Sequence, residues 1–330
     1  MELISQLSQY DFVEISYLAK GSFATAYKCL DQEQQPNIIL VIDSINECQN
    51  RLKMSDILKD VHNCHILKQL NNINLNSKVL IGRYYNIEMR DHMKTSSLSQ
   101  KLDFFRELLV LVKQVHDKGV YHMDLKPSNI MVQDGKPVLI DFGQSVTEAE
   151  VDSVLNTSAY APKHDVYSCN VIPEKFDIYC LGNMLHEIYI GQPLPAPINL
   201  LSRQYHQLQD KVGIIATHLI SGMTCRDQTQ RLTINQCIKH PLFAQQIQSS
   251  LENFSFEEII SKYEQDLDIP QVIKSAGNSD FFAGEGATFS YADIGNQCCT
   301  LGQTLNLYDF CGDMALSRIQ SCDVSVEDQK

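Results

Sequence analysis

Near the start of the chain apolar and polar residues alternate, with Val13, Ile15 and Tyr17 on one face of an extended segment. The chain then turns at Lys20-Gly21-Ser22 and resumes as ATAYKCL, the pattern of a β-hairpin. A polar turn, DQEQQPN, leads into IILVI, whose length and β-branching fit a buried third strand. MSDILKDVHNCHILKQL then carries apolar residues at helical spacing, and VLIG and YYNIEM supply two further short strands. Up to about Glu88 the expectation is an antiparallel sheet with one helix.

Beyond that point the period becomes helical. Phe104, Leu108, Leu111 and Val115 mark one face of a helix that Gly119 stops. In NIMVQDGKPVLIDFG two apolar runs flank Asp134-Gly135, a strong hairpin turn. HMDLKPSN, His122 to Asn129, therefore falls in a loop between a buried helix and a hairpin. Further helices are expected around FDIYCLGNMLHEIYIG, VGIIATHLISGMT and TINQCIKHPLF. After Phe243 the chain is more polar, and residues 244–330 read as an appended tail. Within it Ser255 and Glu258 form a capping box, and Phe256, Ile259, Ile260 and Tyr263 line a helix face of the kind that most often packs on its own domain. FFAGEGATFSY has glycines but neither the strand nor the lysine of a phosphate loop.

Composition narrows the function classes. With 330 residues, 44% of them hydrophobic, the chain can bury a large core. A net charge of -13 without a basic patch argues against nucleic-acid or anionic-membrane partners. No basic leader precedes an apolar run at the start, and IILVI and LLVLV are too short to span a bilayer, so a cytoplasmic protein is expected. The 11 cysteines are scattered, with only Cys298 and Cys299 adjacent, which fits a reducing compartment better than a disulfide framework.

Taken singly, an aspartate in a polar loop or a D-F-G tripeptide is most often a turn former. Their order carries more. A sheet-rich lobe, a helix, HMDLKPSN, a hairpin, DFG and a helical lobe resemble, in that sequence, the eukaryotic protein kinase family over about residues 10–243. The resemblance implies an α+β bilobal fold: a small antiparallel N-terminal lobe with one helix, residues 10–88, and a larger mainly helical lobe, 89–243. It implies ATP and Mg2+ as cofactors and a protein as substrate. Asp124 stands where the family's aspartate orients the attacking hydroxyl, and Asn129 and Asp141 where its metal-holding residues lie. Lys126 stands where serine/threonine kinases contact the transferred phosphate. Ala19, Gly21, Phe23, Ala24 and Ala26, with Glu88 and Met89 between the lobes, are the implied nucleotide contacts. Asp177, with Tyr179 and Gly182, resembles the helix whose aspartate buttresses the catalytic loop, and Arg231 matches a buried arginine of the helical lobe.

Several positions depart from the family. Of three loop glycines only Gly21 is present, with Ala19 and Ala24 at the outer places. The V-A-I-K lysine falls at Leu40 or Val41, and its helix glutamate aligns with Asn63, with Asp60 one turn earlier. Losing one such phosphate contact costs about 3–4 kcal/mol of transition-state stabilisation, which implies slowed catalysis. Lys20 and Lys28 are candidate substitutes, although solvated lysines are the simpler reading. Met123 replaces the H-R-D arginine, and Lys163 replaces the A-P-E glutamate that would pair with Arg231, so phosphorylation-driven ordering of Asp141 to Lys163 is not expected. Two rivals to a slow serine/threonine kinase are a pseudokinase that binds or scaffolds, and a phosphotransferase of the choline or aminoglycoside kinase type. The latter shares H-x-D, but the proline of DLKPSN and DFG speak against it.

Overall fold

The computed structural model describes residues 7, 10–21, 24–71, 77–148, 151, 158–166, 170–195, 203–243 and 256–266. Its N-terminal half is a five-stranded antiparallel sheet in the order β1-β2-β3-β5-β4: β1 Val13–Lys20, β2 Ala24–Leu30, β3 Pro36–Ile42, β4 Lys68–Gln69 and β5 Lys78–Arg83. The unbroken apolar run of β3 is explained by cover on both faces. Ile39 and Val41 pack with Leu7, Cys29 and Val79, whereas Leu40 and Ile42 pack with Cys48, Leu52, Leu67 and Leu80. The alternation in β1 marks core only at Ile15, which packs on the Leu7, Cys29 and Ile39 cluster, because β1 is an edge strand: Val13 is 46% and Tyr17 59% exposed. Tyr17 instead meets Tyr27 edge to face across the hairpin.

Helix α1 runs from Ile45 to Ile57, not from Met54 onward as its apolar spacing suggests. Ser44 caps it by accepting from the Glu47 N–H, and Leu58 ends it. Its buried residues are Cys48, Arg51, Met54 and Ser55, so two polar side chains break the apolar stripe and hide the helix from a periodicity search. YYNIEM is no strand either. Ile87 accepts from the Val132 N–H and Glu88 bridges Met131, so the chain leaves the sheet along the hairpin below it. Met89 then opens α2 (Met89–Thr95).

In the helical half, α3 (Leu98–Asp117) starts at a Ser97–Gln100 capping box and buries Phe104, Leu108, Leu111 and Val115, the expected face. The hairpin of β6 (Ile130–Gln133) and β7 (Lys136–Leu139) turns through Asp134 and Gly135 at φ 53 and 77, the left-handed pair that a two-residue hairpin needs. After the short α4 (Lys163–Val166), α5 (Pro173–Ile190) is buried over most of its length. It packs against α7 (Ile214–Met223) so closely that a Cβ on Gly182 would meet the Met223 and Thr224 side chains at 2.7 Å. Around it lie α6 (Arg203–Val212) and α8 (Ile234–Ile238), the latter with a Thr233–Gln236 capping box.

Helix α9 (Phe256–Asp266), within the stretch read as a tail, docks on this half. Ile260 and Tyr263 are buried, the Tyr263 hydroxyl donates to the Gln236 carbonyl at 2.9 Å, and His218 meets both His240 at 3.0 Å and Glu264 at 3.2 Å. Ser255 of the expected capping box and FFAGEGATFSY lie outside the described residues. Among the described residues no helix is long and apolar enough to cross a membrane.

Candidate active site

The loop HMDLKPSN is held from below by one carboxylate. Asp177, fully buried on α5, accepts the His122 N–H and the Met123 N–H, each at 2.8 Å, and meets the His116 ring at 2.9 Å. Those bonds fix a left-handed turn at Met123, φ 64, which a residue other than glycine adopts only when its surroundings impose it. The Met123 side chain is buried in the core, so the position of the family's phosphate-gripping arginine is filled with an apolar group. His122 ties the loop to the end of β7: its ring meets the Ile140 carbonyl at 3.0 Å and packs 4.9 Å from the Phe142 ring.

Above this base the polar groups converge. The Lys126 ammonium donates to Asp124 Oδ2 at 2.7 Å, and the Asn129 amide donates to the same oxygen at 3.0 Å and to the Asp124 carbonyl at 2.8 Å. Asp141 follows β7 in a left-handed conformation, φ 62 and ψ 65, with its side chain 42% exposed. Burial pushes its carboxyl up, but Arg51, then His122 and a Gly143 backbone N–H outweigh that and hold it below the usual range, so it is an anion. Asn129 turns its amide nitrogen to Asp124, and Asp141 offers a charged carboxylate. The Asn129 amide oxygen and the Asp141 carboxylate are hard oxygen donors of the kind Mg2+ takes, and by that chemistry the residues fit the ion.

The cation beside Asp141 comes from an unexpected place. Arg51, on α1, reaches Asp141 Oδ1 with Nη1 at 2.7 Å and Glu47 Oε1 with Nη2 at 2.8 Å and Nε at 3.0 Å. Its side chain is only 7% exposed. Gly143 leaves the space, since a Cβ there would lie 2.4 Å from Arg51 Nη2 and 2.5 Å from Glu47 Oε1. Asn50 adds a second clasp by donating to the Gly143 and Ser145 carbonyls at 3.0 and 3.1 Å. A polar residue on the buried face of a helix beginning at a serine cap was the available signal, but it is missed when the helix is started too late.

That geometry corrects the expected ion pair. Asn63 and Asp60 lie beyond the end of α1, and Asn63 stands at φ 65 in a turn. The charged pair of this helix is Glu47 and Arg51. Of the two strand positions considered for the lysine, Leu40 packs on the same side of β3 as Leu52 of α1, and Val41 faces the opposite way. Lys28 is engaged elsewhere, with its ammonium 4.8 Å from the Tyr84 ring centre, and Lys20 sits exposed opposite Thr25 at the hairpin end.

The expected nucleotide contacts fall in two places. Ala19 pairs with Ala26, Ala26 with Leu40, and Ala24 with Ile42, so the alanines form a low-relief row across β1 to β3. Gly21 closes the turn by donating to the Ala24 carbonyl at 2.9 Å, and Phe23 lies outside the described residues. Glu88 is exposed at the cap of α2, whereas the Met89 side chain is buried in the helical core.

A second correction concerns Arg231. It does not face Lys163 as a like charge. Asp165, two residues on, takes its guanidinium through two oxygens at 2.7 and 3.1 Å, and both residues are buried. Lys163 is exposed. The ion pair has moved along the chain by half a helical turn. Nearby, Tyr160 anchors its segment to α2 and α5 by donating to Glu187 and accepting from Arg90.

Comparison with known proteins agrees with this layout. A family model described as a protein kinase domain matches residues 12–243. The chain is 26% identical over 255 residues to a probable serine/threonine-protein kinase of Dictyostelium discoideum, covering 68% of this chain and 37% of that protein. It is 28% identical over 177 residues to a Wee1-like protein kinase of Arabidopsis thaliana, covering 48% and 35%. It is 23% identical over 268 residues to the serine/threonine-protein kinase nekl-2 of Caenorhabditis elegans, covering 70% and 74%. The chain thus spans little more than a third of the first two.

Proposed function

The chain belongs to the protein kinase superfamily, and from that premise we propose that it transfers the γ-phosphate of ATP to a serine or threonine hydroxyl of a protein, at a reduced rate. The observation that carries this is the convergence of Lys126 and Asn129 on the Asp124 carboxylate, over a loop fixed by Asp177. In this reading Asp124 would take the proton of an incoming hydroxyl, and Lys126 beside it would balance charge as the phosphate passes. Mg2+, when bound, would shield the nucleotide phosphates. Asn129 and Asp141 are the residues that would hold it. Lys126 favours an alcohol over a phenol as acceptor, as the resemblance implies. The names of two of the relatives, serine/threonine kinases, support that reading.

A second reading rests on Leu40. With an apolar side chain where the family has its phosphate-binding lysine, the domain would bind partners or nucleotide without transfer. The test is phosphate incorporation from labelled ATP with Mg2+ into a generic basic protein, followed by identification of the modified amino acid. Label on serine or threonine that is lost in Asp124→Asn supports transfer. Nucleotide binding without any incorporation selects the second reading.

A further inference from the structure

We propose that Arg51 supplies the nucleotide site with the cation that strand β3 lacks, so that this chain balances charge at the phosphates from helix α1. The inference rests on the nucleotide-site reading above and deepens it. Three buried or half-buried charges meet at this point: Glu47, Arg51 and Asp141, linked in that order at 2.8 and 2.7 Å. Their sum is one negative charge. Removing Arg51 would leave two carboxylates and no cation between them, beside the place where an anionic nucleotide has to sit.

The strand offers nothing in exchange. Leu40 and Ile42, the β3 residues on the helix side, are apolar and packed. Of the lysines on the hairpin, Lys28 lies against Tyr84 and Lys20 is exposed at its tip. The site around Arg51 is also shaped for it. Gly143 has no side chain where one would strike the guanidinium, and Asn50 fixes the backbone on either side of Gln144, so the arginine and Asp141 keep one geometry.

Arg51 acts through Asp141 and through charge, which makes it a positioning residue. Its signature is a dependence on phosphate number. An arginine needed only for folding affects adenosine and ATP alike, whereas one that balances phosphate charge affects ATP most and adenosine least.

The experiment measures, by calorimetry in the presence of Mg2+, the affinity of the full chain for adenosine, ADP and ATP. The expected result for Arg51→Gln is a loss of about tenfold or more for ATP, less for ADP, and under about twofold for adenosine. Arg51→Lys, which keeps the charge, should restore most of the ATP affinity. Equal losses for adenosine and ATP, or no loss at all, would overturn the proposal. Should Arg51→Gln not fold, Glu47→Gln carries the test, because it leaves the arginine and removes one anion. ATP should then bind at least about threefold more tightly with adenosine unchanged, and unchanged or weaker ATP binding overturns the inference. A wild-type chain that binds neither adenosine nor the two nucleotides overturns the inference and the kinase reading together. Wild-type binding with indifferent variants overturns the inference alone.

Discussion

The helical half and the sheet half handle charge in opposite ways. In the helical half each buried charge that the family pattern leads one to seek has a partner, either in the expected place or one short step away. Asp177 holds the catalytic loop through two backbone N–H groups, and Arg231 finds Asp165 although Lys163 stands where its partner was expected. In the sheet half the strand cation is gone, and the charge reappears on another element, as Arg51 of α1 against Asp141. The comparison teaches that a buried charge is hard to delete without its partner but can be moved, because the cost lies in leaving the opposite charge unpaired.

The largest effect that sharpens this contrast is expected at Arg231. Arg231→Met removes the guanidinium that both Asp165 oxygens accept from, and breaking such a buried pair costs about 3–5 kcal/mol. Urea denaturation should show a loss of that size, and a loss below about 1 kcal/mol would mean that the pair is not the helical half's anchor. The double change Arg231→Met with Asp165→Leu should recover much of it.

Next is a pH effect between the halves, at His65. Burial above all, then the Arg51 charge, push its imidazole down to about 4, against the pull of Asp141 and a backbone bond. An unfolded histidine titrates near 6.5, so between these values the unfolded chain binds the extra proton. Stability from this group is therefore full above about pH 6.5 and is lost as pH falls toward 4, by about 3 kcal/mol at most. His65→Leu should flatten the denaturation profile over that window, and an unchanged slope would show that other groups govern it.

At Asp141, replacement by asparagine removes the charge proposed to hold the metal and the partner of Arg51 together. Stabilisation of the chain by ATP with Mg2+ in a thermal melt should fall to the level seen with EDTA. An equal response to ATP with Mg2+ or EDTA in the wild type would contradict metal-dependent binding. The smallest effect is expected from the segment Asp141 to Lys163. Ser145 is buried and donates to the His122 carbonyl, so it is closed to modification, and Thr147 is bonded by Lys53 next to Glu148. Thr147→Glu should change the transfer rate by under about fivefold, since exposed charge pairs are worth about 1 kcal/mol or less. A tenfold gain would show that Lys53 has taken over the role of the missing arginine.

Much of this was legible before the structure. The hairpin at Asp134-Gly135, the long helix with Phe104 and Leu108, and the buttress Asp177 follow from turn chemistry, helical period and motif order. The start of α1 was not legible, because its buried face carries Arg51 and Ser55 and so reads as polar. From that error follow the misplaced helix glutamate and the overlooked arginine. The Arg231–Asp165 pair was hidden for a different reason: a partner displaced by two residues keeps the contact in space but breaks the spacing that a motif search relies on.

The central claim is that the helical half carries the chemistry and the sheet half holds the nucleotide. The most direct test is the separation of kcat from KM for ATP in Asp124→Asn. The account predicts a fall in kcat of about a hundredfold or more with KM for ATP within about twofold of wild type. Transfer at the wild-type rate in Asp124→Asn would contradict it.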